Sequence, residues 1–281
     1  MKRPRRNLGR KILVRTVLWI IVLFIMLRWF EYRQVFQPSR SFETSGQELG
    51  RPMEEVFIET TDGVALNAWY FPAADDATRT GWVWLLCHGN AGNISHRLRH
   101  ASVLLGTGTA VLLFDYRGYG RSQGRPSEDG TYLDAQAAHA WLCARGYEPS
   151  RILILGESLG GAVGAELALR EQVGGLALVA AFTSVPDLGA ELFPWLPVRW
   201  LGTIGYRTID KLADIRVPVI VIHGPADSLV PFRHAEENYA AIRGPKQLWT
   251  IPGDHNDFLD ADVSRYAEGL RRFLGLLESP H

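Results

Sequence analysis

Trp82–Cys87, Ala110–Phe114, Ile152–Leu155, Leu176–Ala180, Val219–Ile222 and Gln247–Ile251 are short, largely apolar runs with turn-forming residues between them. A strand with one wet face alternates polar and apolar residues, whereas a strand covered on both faces reads as a continuous apolar run. Helix-like stretches near 94–106, 131–145, 159–172, 232–243 and 260–277 separate these runs. The alternation predicts an α/β domain with a mostly parallel sheet and helices on both faces. Glu55–Thr60 and Val64–Phe71, separated by Asp62-Gly63, predict an antiparallel hairpin at the sheet edge. One segment breaks the rhythm. Thr183–Ile209, with the apolar stretch Leu192–Leu201, is longer than an ordinary connection. It reads either as a small cap over the sheet or as a packed surface helix with irregular ends.

The N-terminal residues follow a different pattern. All seven basic residues of the first fifteen (Lys2, Arg3, Arg5, Arg6, Arg10, Lys11 and Arg15) precede the first acid, Glu31. The run Val17–Leu27 is too short to cross a bilayer, but Ile12–Phe30 is long enough if Arg15 and Arg28 extend to the headgroups. Trp19 and Trp29 suit the interfacial belts. A cleaved signal peptide has the same basic-then-apolar order but ends in small residues, whereas bulky Arg28-Trp-Phe-Glu-Tyr-Arg33 follows here. A helix lying in the membrane plane is the third reading. The favoured organisation is a basic cytoplasmic tail at 1–11, a single transmembrane anchor at 12–30, a linker at 31–53 and an α/β domain at 54–281. The excess of positive charge before the anchor predicts a cytoplasmic N-terminus, the α/β domain on the extracytoplasmic side and the lipid bilayer as a partner.

Composition narrows the partners further. The 281-residue chain is 47% hydrophobic and 21% charged, which excludes a disordered or polytopic protein. Its formal net charge is zero, so beyond the basic tail 23 basic residues face 30 acidic ones. Nucleic acid is excluded as a partner of that domain, because phosphate binding needs clustered positive charge. Cys87 and Cys143 lie in strand-like and helix-like stretches, lack metal-ligand spacing, and are expected to be buried free thiols.

Gly156-Glu157-Ser158-Leu159-Gly160 follows the run Ile152–Leu155 directly and opens the helix-like Gly161–Leu169. A serine on such a strand-to-helix turn has a strained backbone that projects its hydroxyl, and the glycines permit close approach of helix and strand. A serine hydroxyl needs a base to become a nucleophile, and the base needs an acid to orient it. His255 is the candidate base, in the loop after the last apolar run. His96, His100, His139 and His234 fall in helix-like stretches, His223 abuts a strand end, and His281 ends the chain. Asp227, after the penultimate run, is the candidate acid; Asp254, Asp257 and Asp187 are the alternatives. Backbone donors for a developing oxyanion are expected at Asn90, in His88-Gly-Asn-Ala-Gly-Asn93, and at Leu159. Ala91 is the alternative to Asn90, and His88 is expected to brace the loop. The glycine-rich Asp115–Gly120 lacks the lysine of a phosphate loop, and its charges are expected to fix its shape. Phe193, Trp195, Leu196 and Trp200 are candidates to line an apolar acyl pocket.

The basic anchor, HGNAGN at 88–93, DYRGYGRS at 115–122, GESLG at 156–160, the 223–231 loop and GDHND at 253–257 together resemble the α/β-hydrolase superfamily. They are most similar to its membrane-associated ABHD-type serine hydrolases. The resemblance covers roughly four-fifths of the chain. It implies the α/β-hydrolase fold, a Ser158, Asp227 and His255 triad, an oxyanion hole at Asn90 and Leu159, no cofactor or metal, and carboxylic esters or thioesters of acyl or lipid-like compounds as substrates. Pro225 is a departure from such loops. A serine peptidase of the same fold and a non-catalytic membrane-tethered scaffold are the competing functions, since this fold hosts many activities.

Overall fold

The computed structural model describes residues 5–75 and 77–278. Lys2, Arg3 and His281, named above, lie outside the described residues. The chain divides into two compact units, one ending at Gln37 and one beginning at Pro38.

The first unit is one long helix, α1 (Arg5–Val35). Its Gly9–Val35 portion is long and apolar enough to cross a membrane, and none of its apolar window is buried. At about 1.5 Å per residue, helix extends well beyond a hydrocarbon core of about 30 Å, so the helical segment outruns the expected 12–30 at both ends. Arg28 is ion-paired with Glu31 one turn on, at 2.7 Å.

The second unit is built on an eight-stranded sheet. Its strands are β1 (Glu54–Glu59), β2 (Ala65–Phe71), β3 (Val83–Cys87), β4 (Ala110–Phe114), β5 (Ile152–Glu157), β6 (Gly175–Val179), β7 (Val219–His223) and β8 (Lys246–Thr250). Their spatial order is β8-β7-β6-β5-β3-β4-β2-β1. The hairpin strands β1 and β2 are antiparallel to their neighbours, and β3 to β8 run parallel. Five of the six runs expected to be buried on both faces form fully or almost fully buried strands, whereas β8, at the sheet edge, buries only Trp249 and leaves Lys246 and Thr250 exposed. Trp84, Leu86, Leu153 and Leu155 share one face with Leu104, Leu270 and Phe273 from α2 (Leu98–Leu105) and α9 (Val263–Glu278). The Trp84 and Phe273 rings pack at 6.3 Å between centroids. On the other face lie α3 (Glu128–Ala144), α4 (Leu159–Arg170) and α8 (Arg233–Ala241). There Gly164 lies so near the Cγ2 of Ile154 that an added Cβ would sit 2.9 Å from it.

Residues 39–53, expected as a linker, are instead fastened to this unit. Ser39 N–H donates to Gly92 O at 3.0 Å, Arg40 reaches Ser122 O at 2.7 Å, and Phe42 packs edge-on against Trp69 at 5.3 Å. Polar bonds to distant loops hold this stretch, and no periodicity announces them. The excursion at 183–209 contains α5 (Val185–Leu192) and the single turn α6 (Val198–Leu201), and is followed by α7 (Ile209–Leu212). Its base is closed by Val185 N–H to Gly205 O at 3.0 Å and Ile209 N–H to Thr183 O at 3.1 Å. Cys87 is buried, while Cys143 is only partly so, and both are free thiols.

Candidate active site

Ser158 stands where β5 turns into α4, at φ 51° and ψ −114°. Few L-residues adopt this backbone, and a side chain there carries strain of order 1–3 kcal/mol. The surroundings hold it: Ser158 N–H donates to Val179 O, and Gly161 N–H to Ser158 O, both at 2.9 Å. Glycine at 160 is obligatory, since a Cβ there would collide with the Cys87 carbonyl and lie 2.8 Å from His88 O. The start of α4 is thereby pressed against the C-terminal end of β3.

His255 lies in the loop after β8, and its ring bridges two residues remote in sequence. Nδ1–H donates to Asp227 Oδ2 at 2.8 Å, which leaves Nε2 to accept from the Ser158 hydroxyl at 3.1 Å. Asp227 is almost fully enclosed, and its Oδ1 accepts from the N–H groups of Leu229 at 3.0 Å and Val230 at 2.7 Å. Burial acts to raise this carboxyl, but hydrogen bonds from His223, His255 and Val230 outweigh it and hold the group well below the usual carboxylate range. Asp227 is therefore ionised at neutral pH.

The alternative acids face elsewhere. Asp254 accepts from Ser228 N–H at 2.7 Å and Ser228 Oγ at 2.8 Å, tying the histidine loop to the loop of Asp227. Asp257 takes the Asp254 N–H. Ser184 caps α5, its Oγ accepting the Asp187 N–H at 3.1 Å and donating to Asp187 Oδ2 at 2.6 Å, and Asp187 pairs with Arg199 at 3.1 Å.

Leu159, the first residue of α4, has an N–H with no partner inside the helix by position. The loop bearing Asn90 is bound to the turn of Ser158 through Glu157. That carboxylate accepts from Gly89 N–H at 3.4 Å and pairs with Arg97 at 2.8 Å, while Arg97 also reaches Ala91 O at 2.9 Å. Burial acts to raise the Glu157 carboxyl, yet the Arg97 charge leads the opposing effects that hold it at about 2. Tyr119 Oη–H donates to Asn90 O at 2.8 Å, and Tyr116 Oη–H to His88 O at 3.0 Å. Burial, aided by Arg97, drops His88 to about 3, so its ring is neutral and structural. In the Asp115–Gly120 loop Arg117 is the brace: it bonds Asp134 at 2.8 Å and Asp62 at 2.8 and 3.0 Å.

Two of the four residues expected to line an acyl pocket stand open to solvent instead. Trp195 is 75% exposed and Trp200 91% exposed. For Trp200 the reason lies in the short helix α6. Val198 is the residue packed against Gly189 of α5, and two positions along a helix point to nearly opposite sides. Phe193 and Leu196 are partly buried, and Phe193 meets Trp195 edge-on at 6.3 Å. Three further residues escaped the sequence reading: Glu157 and Arg97, which fix the 88–91 loop, and His223. Only the four-residue spacing from His223 to Asp227 could have marked the last.

Comparison with known proteins agrees with this architecture. A family model for the alpha/beta hydrolase fold matches residues 84–204. The Mycobacterium tuberculosis protein Rv2307c is 41% identical over 253 residues, covering 89% of each chain. The alpha/beta hydrolase domain-containing protein WAV2 of Arabidopsis thaliana is 35% identical over 243 residues, covering 77% of this chain and 78% of its own. Among solved structures, the Pyrococcus furiosus esterase Pf2001 superposes with a TM-score of 0.72 at 21% identity, covering 86% of this chain and 98% of that one. The chain belongs to the α/β-hydrolase family.

Proposed function

We propose that the protein is a membrane-anchored serine hydrolase that cleaves carboxylic esters or thioesters of acyl or lipid-like compounds. The observation that carries the reading is the pair of hydrogen bonds at His255, 3.1 Å to Ser158 and 2.8 Å to Asp227. Ser158 Oγ attacks the carbonyl carbon as its proton passes to Nε2 of His255, and the ionised Asp227 stabilises the resulting imidazolium. The tetrahedral oxyanion is held by the N–H groups of Asn90 and Leu159. Collapse breaks the bond to the leaving alcohol or thiol, which takes the proton from His255. Water, deprotonated by the same ring, then releases the acyl group and restores Ser158.

The helix Gly9–Val35 supports the anchor reading by its length and apolarity. The basic residues ahead of it support a cytoplasmic N-terminus with the catalytic domain on the far side. A tethered enzyme meets amphiphilic substrates at raised effective concentration. A fluorophosphonate probe tests the chemistry: the folded chain labels at Ser158, and labelling is lost in Ser158→Ala. No labelling of folded protein leaves a tethered scaffold. Hydrolysis rates across esters of increasing acyl length, with and without the anchor, test the substrate class.

A further inference from the structure

We propose that His223 is a positioning residue for the acid of the triad, its Nε2–H fixing which lone pair of Asp227 Oδ2 faces His255. The inference rests on the reading of Ser158, Asp227 and His255 as a triad. His223 ends β7 and its side chain is fully buried. Its Nε2 lies 2.8 Å from Val230 O and 3.1 Å from Asp227 Oδ2. A carbonyl oxygen only accepts, so the proton is on Nε2, and one N–H is shared between the carbonyl and the carboxylate. The same Oδ2 takes the Nδ1–H of His255 at 2.8 Å. One carboxylate oxygen is therefore held between two imidazoles, while Leu229 and Val230 N–H occupy the other.

This arrangement fixes the carboxylate in every direction that matters for the ring beyond it. Two backbone donors on Oδ1 set the plane, and the second imidazole on Oδ2 removes the remaining freedom to swing away from His255. The position of His223 in the fold suits the task. Its backbone O accepts from Ile251 N–H at 3.1 Å, so its main chain bonds the segment leading to His255 while its side chain bonds the loop of Asp227. Gly224, the next residue, lies so near Gly253 that an added Cβ would be 2.8 Å from Gly253 O. The Phe232 ring meets the imidazole edge-on at 5.9 Å and keeps it in place.

Two isopolar variants separate positioning from simple packing. In His223→Gln the amide nitrogen occupies the place of Nε2 and can reach Asp227; in His223→Asn it stops at the place of Nδ1 and cannot. With full-length protein and a short nitrophenyl ester, we expect His223→Asn to lower kcat and the rate of fluorophosphonate labelling about 10- to 100-fold, as when an orienting bond behind a functional ligand is lost. KM stays within about twofold, and His223→Gln recovers kcat to within about threefold of wild type. A folded Asn variant with wild-type kcat overturns the proposal. So does an equal loss in both variants accompanied by an equal fall in Tm, which marks His223 as a peg for the Val230 carbonyl alone. Should the Asn variant not fold, a folded Gln variant decides: kcat within about threefold supports the donor role, and a loss of tenfold or more overturns it. Wild-type protein that neither labels nor turns over ester fails the triad reading itself, before any His223 variant is made, and the proposal falls with it.

Discussion

Ser158 combines a strained backbone with a shared hydroxyl proton, and the two properties can be separated by substitution. Ser158→Ala removes the hydroxyl and keeps the strain; an activity loss of at least about a thousandfold on a short nitrophenyl ester is expected, given how strongly nucleophile removal acts in triads. Ser158→Gly removes both. Glycine populates φ near 51° freely, so the glycine variant is expected to be equally inactive yet more stable than the alanine variant by about 1 kcal/mol, read from urea midpoints. A glycine variant no more stable than the alanine one would show that the turn stores no strain.

At the scale of elements, the loop after β3 and the turn after β5 are joined by one ion pair. Arg97→Ala leaves the Glu157 carboxylate enclosed without its cation, which is destabilising by about 3–5 kcal/mol, measured by denaturant unfolding. The excursion at 183–209 behaves in the opposite way. Trp195 and Trp200 contact little of the protein, so a Trp195→Ala/Trp200→Ala pair is expected to change unfolding free energy by less than about 0.5 kcal/mol. A larger change would mean that the two rings are packed. This contrast also marks what a sequence can disclose. Five of the six parallel strands were readable because burial on both faces leaves an uninterrupted apolar record, β8 was readable from the shorter apolar stretch around Trp249, and Ser158, Asp227 and His255 were readable because each follows one of the six. The order β8-β7-β6-β5-β3-β4-β2-β1 was not, since pairing is decided between residues far apart in the chain. Nor was the fastening of 39–53, which rests on a main-chain bond from Ser39 and on single side chains, Arg40 and Phe42, that meet partners far along the chain. The exposure of Trp200 depends on which way a single helical turn faces, and hydrophobicity alone suggested the interior.

For the molecule as a whole, buried titratable groups set the pH of greatest stability. Burial lowers His88 to about 3 and His234 to about 4, and lowers His100 and His139 in the same direction. These rings stay neutral in the fold while the unfolded chain binds protons below about pH 6.5, so their contribution is complete above that pH and is lost on acidification. Burial raises Asp115 to about 8 and Asp134 to about 6, so these two act in the reverse sense. Four histidines outnumber two carboxyls below pH 6.5, and Asp115 alone acts from there to about 8. Stability is therefore expected to peak near neutrality, falling steeply toward pH 4 and gently toward pH 8; urea midpoints that rise on acidification from pH 6.5 to 5 would contradict this. Separately, removing residues 1–35 is expected to leave the unit from Pro38 onward folded, with kcat/KM on a soluble short ester within about threefold of the full chain.

His255, the proposed base, hangs from the outermost strand, β8, which has a neighbour on one side only and several residues open to water. A margin of this kind loosens before the centre of a sheet does. Warming is therefore expected to extinguish turnover at a temperature where the inner strands are still intact, with inactivation preceding the calorimetric transition.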